Sequence, residues 1–126
     1  LEAIQSRHDA AVAASDLAAV FRSNADFHRA LFALCPNQFL VSAIERAALQ
    51  AHAVRFTAVQ EPPALQRAQA DHHAMLAAMR DADRQKLAAL CREHLENALS
   101  ARERMTRSLG DDPAAASGPG KPDSHD

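Results

Sequence analysis

Apolar positions recur at three- and four-residue spacings over nearly all of residues 1–109, the repeat of helices that turn one face to a core. The first stripe, Leu1, Ile4, His8, Ala11 and Val12, predicts a helix over 1–14. Ser15 or Asp16 can cap a second helix, running to about Cys35, with Leu17, Val20, Phe21, Asn24, Phe27, His28, Leu31 and Cys35 inward. Pro36 ends it and Asn37 can cap a third helix over 38–59. Candidate core residues there are Phe39, Leu40, Ala43, Ile44, Ala47, Val54 and Phe56. Glu61-Pro62-Pro63 breaks the pattern, because proline lacks the amide and fixes φ. A fourth stripe, Leu65, Ala68, His72, Met75, Leu76 and Met79, predicts a helix over 63–80. After a turn at Asp81-Ala82-Asp83, a fifth helix runs to about Leu109. It turns Leu87, Leu90, Cys91, His94, Ala98, Ala101 and Met105 inward, and Gly110 is its natural stop.

The expected fold is therefore an all-α antiparallel helical bundle, a single domain over 1–109. A Pro-, Gly-, Ser- and Asp-rich tail, expected to be disordered, follows over 110–126. Composition agrees: 48% of the 126 residues are hydrophobic, with only 3 Gly and no Trp or Tyr. A net charge of −2 gives no overall basic footprint for nucleic acid. No apolar run approaches the roughly 20 residues of a membrane span, and no secretory signal is visible. Two cysteines, Cys35 and Cys91, make no disulfide framework and suit a reduced, cytoplasmic setting. Leu1 lies within a helix already under way, so an N-terminally truncated domain is expected.

Besides His8 on the first stripe, His28, His72 and His94 stand on three of the others. A buried imidazole without a polar partner costs on the order of 1–3 kcal/mol, so a lone one is normally a hydrogen-bonded core residue. His72 and His94 lie eleven residues before and after Asp83, which puts them at one height, roughly 16 Å from the turn of an antiparallel hairpin. Asn24 and His28 are four apart and share a face of the second helix, within one to two turns of that level. Three imidazoles and an amide oxygen suit Zn²⁺ first, with Ni²⁺, Mn²⁺ or Fe²⁺ as alternatives. Each ligating histidine then needs an acceptor for its other ring nitrogen. His73 points about 100° away from His72 and belongs at the surface. His8 belongs at the edge of the core, and His52 is a candidate to line the same cavity. Cys35 and Cys91 read as small hydrophobes, and Arg102, Glu103, Arg104 and Arg107 as a solvated face.

These residues resemble a known family. Asn24-Ala-Asp-Phe27-His28-Arg-Ala-Leu31, followed by Asn37 and Leu40, is similar to the D/N-x-x-F-H-x-x-L…N-x-x-L signature of the FadR C-terminal (FCD) domain, the effector-binding domain of GntR-family transcription regulators. His72-His73-Ala-Met75-Leu76, Asp83 and His94-Leu95 resemble its second block, and the resemblance covers about residues 1–108. It implies an FCD-like bundle with a divalent metal held by Asn24, His28, His72 and His94. It also implies a small carboxylate effector at that metal, a homodimer, and DNA contact only through a winged helix-turn-helix domain that this chain lacks. Asn24 stands where many metal-binding members carry Asp, and Asp71 where the usual residue is Glu. Arg55, Arg46 and His52 are the candidate effector contacts.

The leading expectation is thus a non-enzymatic effector-sensing domain of a bacterial regulator. The alternative is a small metal-dependent helical hydrolase, since an open three-histidine site can activate water. Asp26 and Asp71 fall off the stripes, which leaves no clear general base and favours sensing. A bundle whose histidines merely hydrogen-bond is the third reading.

Overall fold

Short polar side chains set where three of the helices begin. A computed structural model describes residues 1–51, 56 and 60–110. Five helices are described: α1 (Glu2–Ala13), α2 (Leu17–Phe32), α3 (Gln38–Gln50), α4 (Pro62–Arg80) and α5 (Arg84–Gly110). Asp16 Oδ1 accepts from Ala19 N at 2.9 Å and Asp83 Oδ1 from Lys86 N at 2.9 Å. Asn37 Oδ1 accepts from both Phe39 N and Leu40 N at 3.1 Å. Each cap satisfies amides that the first helical turn leaves without partners. Ser15 and Ala82, both at φ 54°, take the left-handed position that closes α1 and α4. The following amides, of Asp16 and Asp83, then bond back to Ala11 O and Ala78 O.

These turns fold the chain into two antiparallel hairpins, α1 with α2 and α4 with α5, and α1 also packs on α4. The core lies among them: Phe27, Leu31, Met75 and Leu76 are buried, with Leu1, Ile4, Met79, Leu87, Leu90 and Cys91 around them. Ala11 and Val20 form a smaller cluster with Leu65. Among the described residues, no helix is long and apolar enough to cross a membrane.

Two expectations are corrected. α2 stops at Phe32, short of Pro36. Its end is tightened by Leu34 N to Leu31 O at 3.3 Å, and the residue before a proline disfavours α geometry. The third helix ends at Gln50 rather than Val59, and α3 buries none of its residues. Phe39 is 90% exposed, Leu40 49% and Phe56 51%; Ala43 and Ala47 are also exposed. An amphipathic face was present, but α3 packs only lightly, chiefly against α2 among the described elements. Val54, and the tail beyond Gly110, lie outside the described residues.

Candidate metal centre

The predicted level of the histidines is met. His28 comes from α2, about one turn before its end, His72 from α4 and His94 from α5, and their ring centroids form a triangle of 5.0, 5.0 and 5.2 Å. One ring nitrogen from each lies within 4.8 Å of the others. All three are buried, and His72 is fully so. Asn24, one turn before His28, is also buried at 6% exposure.

Hydrogen-bond polarity orients the rings of His72 and His94. Asp9 is a carboxylate and can only accept, so the Gln5 amide donates to it from Nε2 at 2.8 Å. Gln5 Oε1 then faces His72 Nδ1 at 3.0 Å, and His72 donates from that nitrogen. His72 Nε2 is left as a bare lone pair, buried and without a hydrogen-bond partner. On α5, His94 Nδ1 meets Asp71 Oδ2 at 3.2 Å, which turns Nε2 towards His28. That nitrogen lies 3.2 Å from His28 Nε2. Two nitrogens on one Zn²⁺ at 2.0–2.1 Å stand about 2.9–3.4 Å apart, between octahedral and tetrahedral angles.

The residues therefore fit a divalent metal on three counts: imidazole donors, a His28–His94 pair at ligand-like spacing, and the buried His72 Nε2 without a hydrogen-bond partner. Outer acceptors, expected from the chemistry of ligating histidines, are present as Gln5 and Asp71. Burial pushes the His72 imidazole far below its ordinary pKa, and the neighbouring His28, His94 and His8 act in the same direction. A metal ligand must be neutral, so the fold keeps this one ready.

The sequence reading missed three residues here. Gln5 is 1% exposed and His8 is 0% exposed, not at the edge of the core as expected. His8 lies against His72 with centroids 5.3 Å apart and the rings tilted by 58°. Burial lowers its pKa, opposed by Asp9 and aided by His73 and His94. Asp71, placed off the stripe, is buried and reaches both His94 and, at 3.3 Å, Asn97 Nδ2. The helical spacing of Gln5 and His8, one turn apart, was the only signal available. His73 is exposed as expected and bonds Asp9 Oδ2 at 3.0 Å. Removing the Asp71 acceptor by Asp71→Ala should weaken zinc binding by about 10–100-fold, measured by chelator competition. An unchanged affinity would mean that Asp71 does not orient His94.

A cavity of about 380 Å³ opens beside the triad between α2 and α3, within the size range of small-molecule sites. His28 lines it, together with Phe32, Val41 and Ile44, and with Arg29 and Glu45. Arg46 is exposed on α3 and does not line this cavity. Arg55 and His52 lie outside the described residues. Arg29 was not among the arginines singled out, although it follows His28 directly; it pairs with Asp26 at 3.0 Å. Cys35 and Cys91 are free thiols.

Among curated proteins and solved structures, none matches the chain. The family model of the FCD domain matches residues 1–97, most of the chain and all three histidines. The chain belongs to the FCD domain family, the effector-binding domain of GntR-family transcription regulators.

Proposed function

We propose that this domain senses a small carboxylate at a divalent metal held by His28, His72, His94 and the amide oxygen of Asn24. The observation that carries the reading is the His72 Nε2 lone pair, buried without a partner and converging with His28 and His94. Zn²⁺ suits the donor set best. The metal supplies a positive centre on which a carboxylate can complete the coordination. The chain supplies the rest: His28 joins the centre to the cavity, Phe32, Val41 and Ile44 wall it, and Arg29 stands at its edge.

An effector acts here only through its differential affinity for two arrangements of the bundle. The expected setting is cytoplasmic, as a homodimer, with DNA reached through a winged helix-turn-helix domain. The hydrolase alternative needs a base beside the metal. Asp71 does not provide one, because it sits on His94 Nδ1, across the ring from the converging nitrogens.

Elemental analysis of the purified protein after mild zinc reloading tests the centre, followed by calorimetry with acetate, lactate and citrate. One zinc per chain is expected, and at least one of these acids should bind the zinc-loaded protein more than tenfold tighter than the zinc-free protein. No stoichiometric metal, or affinities indifferent to zinc, would sink the reading. Arg29→Ala should weaken the acid that binds by about two- to fivefold, the worth of a solvent-facing ion pair.

A further inference from the structure

Gln5 belongs to α1, the one helix at the centre that offers no ligand in the reading above. It is 1% exposed, a burial that an unbranched polar side chain adopts only with its amide satisfied. Its two ends do different work. Oε1 accepts from His72 Nδ1 at 3.0 Å, and Nε2 donates to Asp9 Oδ1 at 2.8 Å. Asp9 in turn accepts from Gln69 Nε2 at 2.7 Å and lies 3.0 Å from His73 Nε2, both on α4. The fourth polar tie between these helices, Arg80 to Glu2 at 3.0 Å, is solvent-exposed. Gln5–His72 is the buried tie of this seam.

We propose that Gln5 is a positioning residue that presets His72 for the metal and couples the docking of α1 to metal occupancy. The inference rests on the metal-centre reading above. An imidazole has two tautomers, and only the one protonated at Nδ1 presents Nε2 to a metal. The Gln5 carbonyl selects that tautomer, and Asp9 keeps the amide from flipping. Once the metal holds Nε2, the ring cannot turn, and the bond from Nδ1 to Gln5 is held with it. Coupling of this kind is reciprocal: metal steadies α1, and a docked α1 raises metal affinity.

The test uses the whole chain, Zn²⁺ alone as the probe, and the variants Gln5→Met and Gln5→Glu. Methionine fills the same length without an acceptor, while glutamate keeps the acceptor and gives up the donor to Asp9. Zinc affinity should fall about 10–100-fold in Gln5→Met, the range for loss of an outer-shell partner. Gln5→Glu should recover most of that loss. Amide hydrogen exchange over residues 5–13 should slow on zinc addition in the wild type. At saturating zinc that response should be lost in Gln5→Met. Long-range ¹H–¹⁵N spectra of the zinc-free wild type should show His72 protonated at Nδ1, and this reading stands even if Gln5→Met fails to fold. A wild type that holds zinc while Gln5→Met binds it equally and keeps the α1 response overturns the role of Gln5 alone. So does a His72 protonated at Nε2. A wild type that takes no zinc overturns the metal centre and this role together.

Discussion

His72→Leu is expected to abolish stoichiometric metal binding while leaving the metal-free fold nearly intact. The side chain is fully buried, stacked on Phe27 at 4.0 Å and 15°. Its Nε2 pays a desolvation cost of order 1–3 kcal/mol that no hydrogen bond offsets in the metal-free protein. Leucine removes that cost and fills much of the space, but it leaves Gln5 Oε1 without its donor. The two effects oppose, so the net change should stay within about 1 kcal/mol. Metal affinity has no such compensation: one of three imidazoles is gone, and the loss should exceed the 10–100-fold typical of outer-shell partners. Urea titration and elemental analysis of the same preparation would check both halves. A variant that still holds one metal per chain would remove His72 from the ligand set, and one destabilised by several kcal/mol would make it chiefly a structural residue.

The second large effect is on acid stability. Burial lowers the folded-state pKa of both His72 and His8, so the folded protein binds fewer protons there than the unfolded chain does. Their contribution is fully present above the unfolded imidazole value of about 6.5 and is lost as pH falls below it. For His72, which stays neutral in the fold, the loss is about 1.4 kcal/mol per pH unit, or roughly 2 kcal/mol between pH 6.5 and 5. His8 adds to it with the same sign. For a domain with a few kcal/mol to spare this is a large fraction. Denaturation midpoints of zinc-free protein at pH 7.5, 6 and 5 should fall in that order, and zinc, which binds the folded state, should raise them. A stability that is flat or rises towards pH 5 would contradict the buried, neutral state of these rings.

The helical repeat and the turn chemistry made most of the bundle legible. Asp16, Asn37 and Asp83 cap because a short oxygen-bearing side chain at a helix start has few other tasks. His72 and His94 met because both sit eleven residues from one turn, a matter of helical rise alone. Gln5 and Asp71 were not legible, since a sequence pattern assigns polar residues to solvent. Only the apposition of α1 on α4 and of α4 on α5 shows that each answers a histidine. α3 erred in the opposite sense. Phe39 and Leu40 mark an apolar face, yet periodicity says which face is apolar and not what covers it.

Phe27 and His28 are neighbours in sequence, about 100° apart around α2, and both reach the centre. The first lays its ring flat against His72 while the second contributes its own nitrogen. A metal on His72 would draw electron density out of that imidazole, and an electron-poor ring is a better stacking partner for the electron-rich face of a phenyl group. Metal capture would then be felt in the hydrophobic core itself, through a contact that carries no charge and forms no hydrogen bond. The ring protons of Phe27, shifted by the changed current of the imidazole above them, would report the event from inside the packing of Leu31, Met75 and Leu76.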